Sequence, residues 1–342
     1  MTKAAELAKM GEVITNGQIG GRRNALINGQ MQCWQRGTAF SGIANGLTYT
    51  ADRWVAFVAA GAAQAQVNQD TSVPEGFRYS LEFGRASGET DEVFQYVCQL
   101  LETQDSLQFA NKNVTFSFYA KAGANFSGAS SLITVKVSTG TGTDESSATF
   151  SGGPATGFTG NTVVVNTTQA ITTTWTRYTF TGTVSASATQ IAVAIGYDPV
   201  GTAGADDNFY MTGCQLEEGN QATNFEHRSF GEELALCKRY FNQIGGQTAY
   251  QNIIQTMWFS ADTAVSPYYH RPALRATPAI TKLQNWGHLG PGTIGQTVSA
   301  DQNGINSVQF GFSGGSGGTS GTSLVLRGNN NSGVYITFDA EL

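Results

Sequence analysis

The chain of 342 residues predicts an all-β protein: a jelly-roll β-sandwich, then a short helix, then a smaller C-terminal β-domain. Three observations carry that prediction. Apolar residues recur with period two in segment after segment, as in NVTFSFYAK, where Val114, Phe116, Phe118 and Ala120 alternate with Thr115, Ser117, Tyr119 and Lys121. Turn-forming Gly, Asn and Ser separate these segments without intervening helical patterns. Charged residues make up only 13% of the chain, against about 25% in ordinary globular proteins, so Thr, Ser, Asn and Gln supply most of the polarity. Such surfaces suit sheets and turns better than helices, which are usually solubilised by Glu and Lys.

Taken in order, residues 1–23 stand apart. TKAAELAKMG has the pattern of a short helix with Thr2 as N-cap and Gly11 as stop. A helix this short is marginal alone and is expected to dock or fray, so the segment reads as an attachment arm. Residues 24–228 read as one sandwich. FRYSLEF places Phe77, Tyr79, Leu81 and Phe83 in phase. LITVKV does so with Ile133, Val135 and Val137, and QIAVAIGY with Ile191, Val193, Ile195 and Tyr197. One wet and one buried face is the mark of antiparallel sheets. A closing strand follows Asp206, with Phe209, Met211 and Gly213 on one face and Tyr210, Cys214 and Leu216 on the other.

Residues 229–246 predict a connecting helix. Ser229 precedes Glu232 by three, a capping-box spacing, and Leu236/Tyr240 and Cys237/Phe241 form i,i+4 pairs before Gly245 and Gly246. Ser229, Glu232, Leu236 and Tyr240 are therefore expected to hold the joint between two domains. Residues 247–342 read as the terminal β-domain, a tip whose small core invites a partner subunit. It runs from YQNIIQTMWF through SVQFGF and a mobile surface loop, SGGSGGTSGTS, to a hairpin of SLVLRG with VYITFDAEL. In that last strand Val334, Ile336, Phe338 and Ala340 share a face.

The net charge of −6 argues against a nucleic-acid partner, which needs a basic face. No apolar run approaches the ~20 residues that span a bilayer, and the N-terminus lacks a signal-peptide core, so neither membrane insertion nor export by that route is expected. Cys33, Cys98, Cys214 and Cys237 lack metal-ligand spacing and read as buried apolar residues, with disulfides left open. No HExxH, GxSxG or phosphate-cradling loop occurs, and the neighbouring carboxylates of Asp206-Asp207 and Glu217-Glu218 would point to opposite faces of a strand. A glycosidase pair would need distant residues, such as Asp198 with Asp207. The expectation is a protein with no catalytic residues and no cofactor.

Aromatic and amide side chains beside turns offer more. Sugars stack on aromatic rings and take hydrogen bonds from amides and carboxylates. Trp34, Trp54, Trp175, Trp258 and Trp286 are candidates, although core packing is the better reading for Trp54 and Trp175. The candidate ligand-binding set is Tyr197, Asp198, Asp207, Asn208 and Tyr210, around the loop PVGTAGA. The same oxygen-rich cluster would suit a structural Ca²⁺ ion.

Two stretches, NALINGQMQCWQRGTAF…YTADRW (residues 24–54) and FYMTGCQLEEGNQATNFEHRSFGEELALCKRYF (residues 209–241), resemble the opening and close of a module common in bacteriophage tail-fibre and other virion structural proteins. RPALRATPAIT (residues 271–281) is similar to the continuation of such chains, and the interior strands with QLEEG resemble jelly-roll carbohydrate-binding modules of families four and nine. The resemblance implies a virion location and a homotrimer, attached to other tail proteins through residues 1–23 and recognising host-surface polysaccharide. The alternative is a structural head or neck fibre, or decoration protein, that binds no sugar. A third possibility, a polysaccharide depolymerase, requires two opposed carboxylates in a groove.

Overall fold

The computed structural model describes Lys3 and residues 22–44, 46–59, 65–146, 157–246, 248–282, 286–328 and 334–342. The expected arm over residues 1–23 therefore lies outside the described residues, apart from Lys3, Arg22 and Arg23. The chain divides into two compact units: Met1–Phe230 together with Leu342, and Gly231–Glu341.

Unit 1 is the jelly-roll sandwich. Its strands are β1 (Ala39–Ile43), β2 (Gly46–Tyr49), β3 (Val55–Val58), β4 (Ala65–Asp70), β5 (Ser80–Arg85), β6 (Gln95–Leu100), β7 (Asn113–Ala122), β8 (Leu132–Gly140), β9 (Thr162–Ala170), β10 (Thr176–Thr183), β11 (Gln190–Tyr197) and β12 (Asn208–Glu218), with a one-turn helix α1 (Thr103–Ser106) between β6 and β7. They form two six-stranded antiparallel sheets. The first has the order β1-β4-β5-β12-β7-β10 and the second β2-β3-β6-β11-β8-β9. From β5 to β12 most connections cross from one sheet to the other, so a strand's lateral neighbours are rarely its neighbours in sequence.

The period-2 segments put their apolar residues where alternation demands. Val114, Phe116, Phe118 and Ala120 of β7 meet Ile133, Val135 and Val137 of β8 and Ile191, Val193, Ile195 and Tyr197 of β11 in one buried core. On β11 the opposite face is buried as well, because Ala192 and Ala194 join Tyr96, Cys98, Phe158 and Leu342 in a second cluster. All four cysteines are buried thiols.

The closing strand departs from simple alternation. Thr212 pairs with Tyr119 and Gln215 with Ser117, so β12 carries one extra residue, and Gly213 has φ +63°. This β-bulge shifts the phase, and Cys214 and Leu216 join Phe209 and Met211 in the core instead of opposing them. A Cβ at Gly213 would stand 2.7 Å from the Phe77 ring, so both its backbone angle and the ring above it require glycine. Phe77 itself lies outside β5 and on the outer face, against Tyr119, whereas Leu81 and Phe83 enter the core as expected.

The opening of unit 1, residues 24–54, is stitched to the end of its closing strand and to Arg228. Asn24 donates from Nδ2 to the Cys214 carbonyl (2.9 Å) and accepts at Oδ1 from the Leu216 amide (3.1 Å). Arg228 donates to the carbonyls of Leu26 and Asn24. Asn28 caps its own loop at the Gln32 and Cys33 amides (both 2.9 Å), and Trp54 donates from Nε1 to the Asn28 carbonyl (3.2 Å).

Unit 2 contains the helix α2 (Phe230–Lys238, whose first residue falls in unit 1) and strands β13 (Phe241–Gly245), β14 (Asn252–Trp258), β15 (Thr263–Tyr269), β16 (Ala279–Lys282), β17 (Trp286–Leu289), β18 (Thr297–Asp301), β19 (Ser307–Ser313), β20 (Ser323–Gly328) and β21 (Tyr335–Asp339). A three-stranded sheet, β13-β21-β16, faces a six-stranded one, β17-β20-β14-β15-β19-β18, across one apolar core. No helix among the described residues is long and apolar enough to cross a membrane.

Three expectations for this region are corrected. The helix stops at Lys238, and Phe241–Gly245 is a strand paired with β21, since that ladder satisfies its backbone groups. The expected closing hairpin does not form: β20 pairs with β14 and β17, β21 with β13 and β16. The glycine-serine tract is tied down by backbone hydrogen bonds, among them Gly315 to Asp262 (2.9 Å), Gly318 to Ala261 (3.0 Å) and Gly321 to Trp258 (2.8 Å). Val334, Ile336, Phe338 and Ala340 share the buried face as the alternation predicts.

Candidate functional site

The outer face of the first sheet of unit 1 carries a continuous row of polar and aromatic side chains. Asn68 on β4 pairs with Glu82 on β5, Glu82 with Tyr210 on β12, and Tyr210 with Lys121 on β7. Trp175 stands immediately before β10, where Thr176 pairs with Ala120. Five strands at about 4.8 Å spacing give the row a length of ~19 Å. Sandwich alternation turns these positions outward, since their neighbours in each strand point into the core.

Hydrogen bonds fix the row. Asn68 donates to Glu82 Oε2 (3.1 Å), and Asn208 donates to Glu82 Oε1 (2.7 Å) and Asp206 Oδ1 (3.3 Å). The Tyr210 hydroxyl donates to Asp206 Oδ1 (2.9 Å), and Gln66 donates to Asn208 Oδ1 (3.1 Å). Lys121 Nζ donates to Ser72 Oγ (2.8 Å) while lying 4.4 Å from the centre of the Tyr210 ring and 5.7 Å from that of Trp175. Such contacts hold long side chains in one geometry.

A second aromatic group adjoins the row. Tyr119 packs on Phe77 (5.4 Å between ring centres) beneath the Arg177 guanidinium, and Phe77 also meets Phe225 and His227 (both 5.2 Å). Arg177 donates to Ser117 Oγ (3.0 Å) and to the Thr223 carbonyl (2.5 Å).

Electrostatics at the row are acidic. Burial raises the Glu82 carboxyl above its ordinary value. The hydrogen bond from Asn68 and the charge of Lys121 act in the other direction, and Asp70 and Asp206 add to the rise. The Tyr210 phenol is also pushed up, first by burial and then by the charges of Glu82, Asp206 and Asp70.

The five sequence candidates fall in different places. Tyr210 is central to the row, and Asn208, although buried, supports it. Asp198 is exposed just beyond β11. Tyr197 and Asp207 are core groups with 0% exposure, which removes them as direct ligand contacts. The Tyr197 hydroxyl donates to the Asp207 carbonyl (3.1 Å), and its ring packs on Phe126 and Phe209. The Asp207 carboxylate pairs with Arg85 Nε (2.8 Å) and accepts from the Ser127 amide (2.7 Å) and hydroxyl (2.8 Å). Its oxygens are thus occupied and do not fit a Ca²⁺ ion. Among the described residues, no group of three or more His, Cys, Asp or Glu could hold a metal ion.

Trp54, Trp258 and Trp286 are buried, whereas Trp175, expected in the core, is half-exposed beside Lys121. Asn68, Glu82, Lys121 and Arg177 were not expected as site residues. Their polar positions in alternating strands were visible, but the lateral order that aligns them was not. Of the joint residues, Ser229 immediately precedes α2 and Leu236 is half-buried on it, while Glu232 is exposed. Tyr240 is past the helix end and accepts at its carbonyl from the Ala340 amide (2.7 Å), inside unit 2.

No protein-family model matches the chain, and no curated protein matches it. Solved structures similar to it include a carbohydrate-binding module of family 4, with 15% identity over 56% of this chain and 98% of that one, at a TM-score of 0.32. The CBM22-1 xylan-binding domain of Xyn10C from Paenibacillus barcinonensis shows 13% identity over 54% of this chain and 95% of that one, at 0.30. The enzymatically active domain of tailspike protein 4 from bacteriophage CBA120 shows 10% identity over 57% of this chain but only 21% of that one, at 0.32. All three TM-scores lie below 0.5, and no functional property is transferred from them.

Proposed function

We propose that the chain is a non-enzymatic fibre protein of a bacteriophage virion, and that unit 1 binds host-surface polysaccharide along the Asn68–Glu82–Tyr210–Lys121–Trp175 row. The observation that carries the binding reading is the row itself. Donors, acceptors and rings alternate across five strands on an outer face, which suits a ligand that offers hydroxyls and apolar C–H faces together. The carboxylates in it, Glu82 and Asp206, are held in place by amide and phenol partners. The virion reading is supported by the resemblance of residues 24–54 and 209–241 to phage fibre modules.

An array of bacterial surface polysaccharides tests the binding reading. The full chain is expected to retain at least one of them, and Trp175→Ala and Tyr210→Ala each to weaken that binding by about tenfold or more, ~1.4 kcal/mol, without lowering the melting temperature sharply. A chain that retains none would favour the structural head, neck or decoration reading.

Self-association belongs to the same proposal, with the trimer number implied by the resemblance. On the outer face of the six-stranded sheet of unit 2, Met257 lies beside Val265 and Leu289 beside Val325, with Tyr269 at the end of β15 and Phe259 just past β14. Phe259 and Tyr269 are 70% and 63% exposed, unusual for such large rings. Light scattering of the purified chain should give a homo-oligomer that Phe259→Ser and Tyr269→Ser together dissociate. A wild-type chain that stays monomeric at micromolar concentration removes this part.

A further inference from the structure

We propose that His270 is an acid-sensitive wedge between the two sheets of unit 2, so that protonating its imidazole loosens the three-stranded sheet from the six-stranded one. His270 follows β15 directly and is 5% exposed. Its ring stands edge-on to Phe338 of β21 (4.7 Å, 76°) and to Tyr268 of β15 (5.4 Å, 73°), which themselves stack in parallel (5.0 Å, 3°). The backbone amide donates to the Asn306 carbonyl (2.8 Å), which fixes the main chain from which the ring projects between Tyr268 and Phe338. Among the described residues, neither Nδ1 nor Nε2 has a hydrogen-bond partner. A buried polar group in that state costs free energy when neutral and far more when charged.

The surroundings offer no counter-charge among the described residues. From β15 the titratable group against the ring is Tyr268, whose hydroxyl accepts from Asn242 Nδ2 of β13 (3.1 Å). From β21 the ring meets Phe338, and the neighbouring Asp339 accepts from the Glu341 amide (3.1 Å). Arg275, on the loop after His270, donates to the carbonyls of Ala340 and Glu341 (both 2.9 Å). Burial is the one cause that shifts the imidazole, and it holds the pKa below the ordinary 6.5. The unfolded chain therefore takes up this proton before the folded unit does. Stability from the neutral ring is present above the unfolded value and is lost as the pH falls through the folded one.

Unfolding of the full chain, read by hydrogen exchange of peptides from β15 and β21, tests this between about pH 7.5 and pH 5.5. In the wild type, exchange governed by opening of unit 2 should accelerate by up to about tenfold per pH unit beyond the intrinsic pH trend, the limit for one proton. His270→Gln and His270→Phe should abolish that excess, whatever they do to stability at neutral pH. An excess of the same size in His270→Gln would overturn the proposal, as would its absence from the wild type.

Discussion

Asp207→Ala should destabilise unit 1 by about 3–5 kcal/mol, the usual cost of breaking a buried ion pair on one side. Both partners have 0% side-chain exposure. Arg85 spends its other donors on the Asp91 carbonyl (2.9 Å), Ser127 Oγ (3.0 Å) and the Val200 carbonyl (3.4 Å), which ties three loops together at one end of the sandwich. Removing the carboxylate leaves the guanidinium charged, buried and without its counter-ion, and also strips the Ser127 amide of its acceptor. Urea unfolding should show the midpoint fall with little change in slope. The double variant Arg85→Met with Asp207→Leu should recover much of the loss, because it removes the desolvated charges together. A single variant within a few tenths of a kcal/mol of wild type would mean that this end of the sandwich is wetter than its packing implies.

Trp258→Ala should do comparable damage in unit 2, about 3–5 kcal/mol, from lost transfer free energy and an unfilled cavity. Total stabilities near 5–15 kcal/mol leave a unit of this size close to unfolding after such a loss. The indole is fully buried, and its Nε1 donates to the Pro291 carbonyl (3.0 Å). The glycine-serine tract lies directly on it. A Cβ at Gly318 would stand 2.4 Å from the indole and one at Gly315 3.0 Å. Gly318→Ala should therefore cost about 1–3 kcal/mol by overpacking, although an exposed flexible loop would tolerate it. Denaturant melts followed by tryptophan fluorescence distinguish the two cases.

These two residues also mark how far the sequence is legible. Alternation in β7, β8 and β11 identifies the core face directly, because neighbouring side chains in a strand must point to opposite faces of the sheet. Trp258 lies in such a pattern. The glycines over it do not, since a tract chosen for close approach to a ring has the same composition as one chosen for freedom. The bulge at Gly213 is hidden for a similar reason: one inserted residue reverses the faces of Cys214 and Leu216 without altering local polarity. Asp207 reads as a surface acid beside a loop because its partner, Arg85, is 122 residues away.

The candidate site was legible only in fragments. Tyr210 and Asn208 could be singled out beside their loop, but the row needs β4, β5, β12, β7 and β10 side by side. That lateral order comes from crossover connections, which leave no periodic signal in the strands themselves. Lys121 and Trp175 show the consequence. Each is an ordinary residue of its own segment, and they come together on one face only when β7 and β10 pair.

Binding of a surface polysaccharide, mapped by hydrogen exchange on the full chain, tests the central claim most directly. The account predicts protection concentrated in β4, β5, β7 and β12 around Asn68, Glu82, Lys121 and Tyr210, and its disappearance in Trp175→Ala with Tyr210→Ala. Saturable binding that protects only strands of unit 2, or that survives both substitutions unchanged, would contradict it.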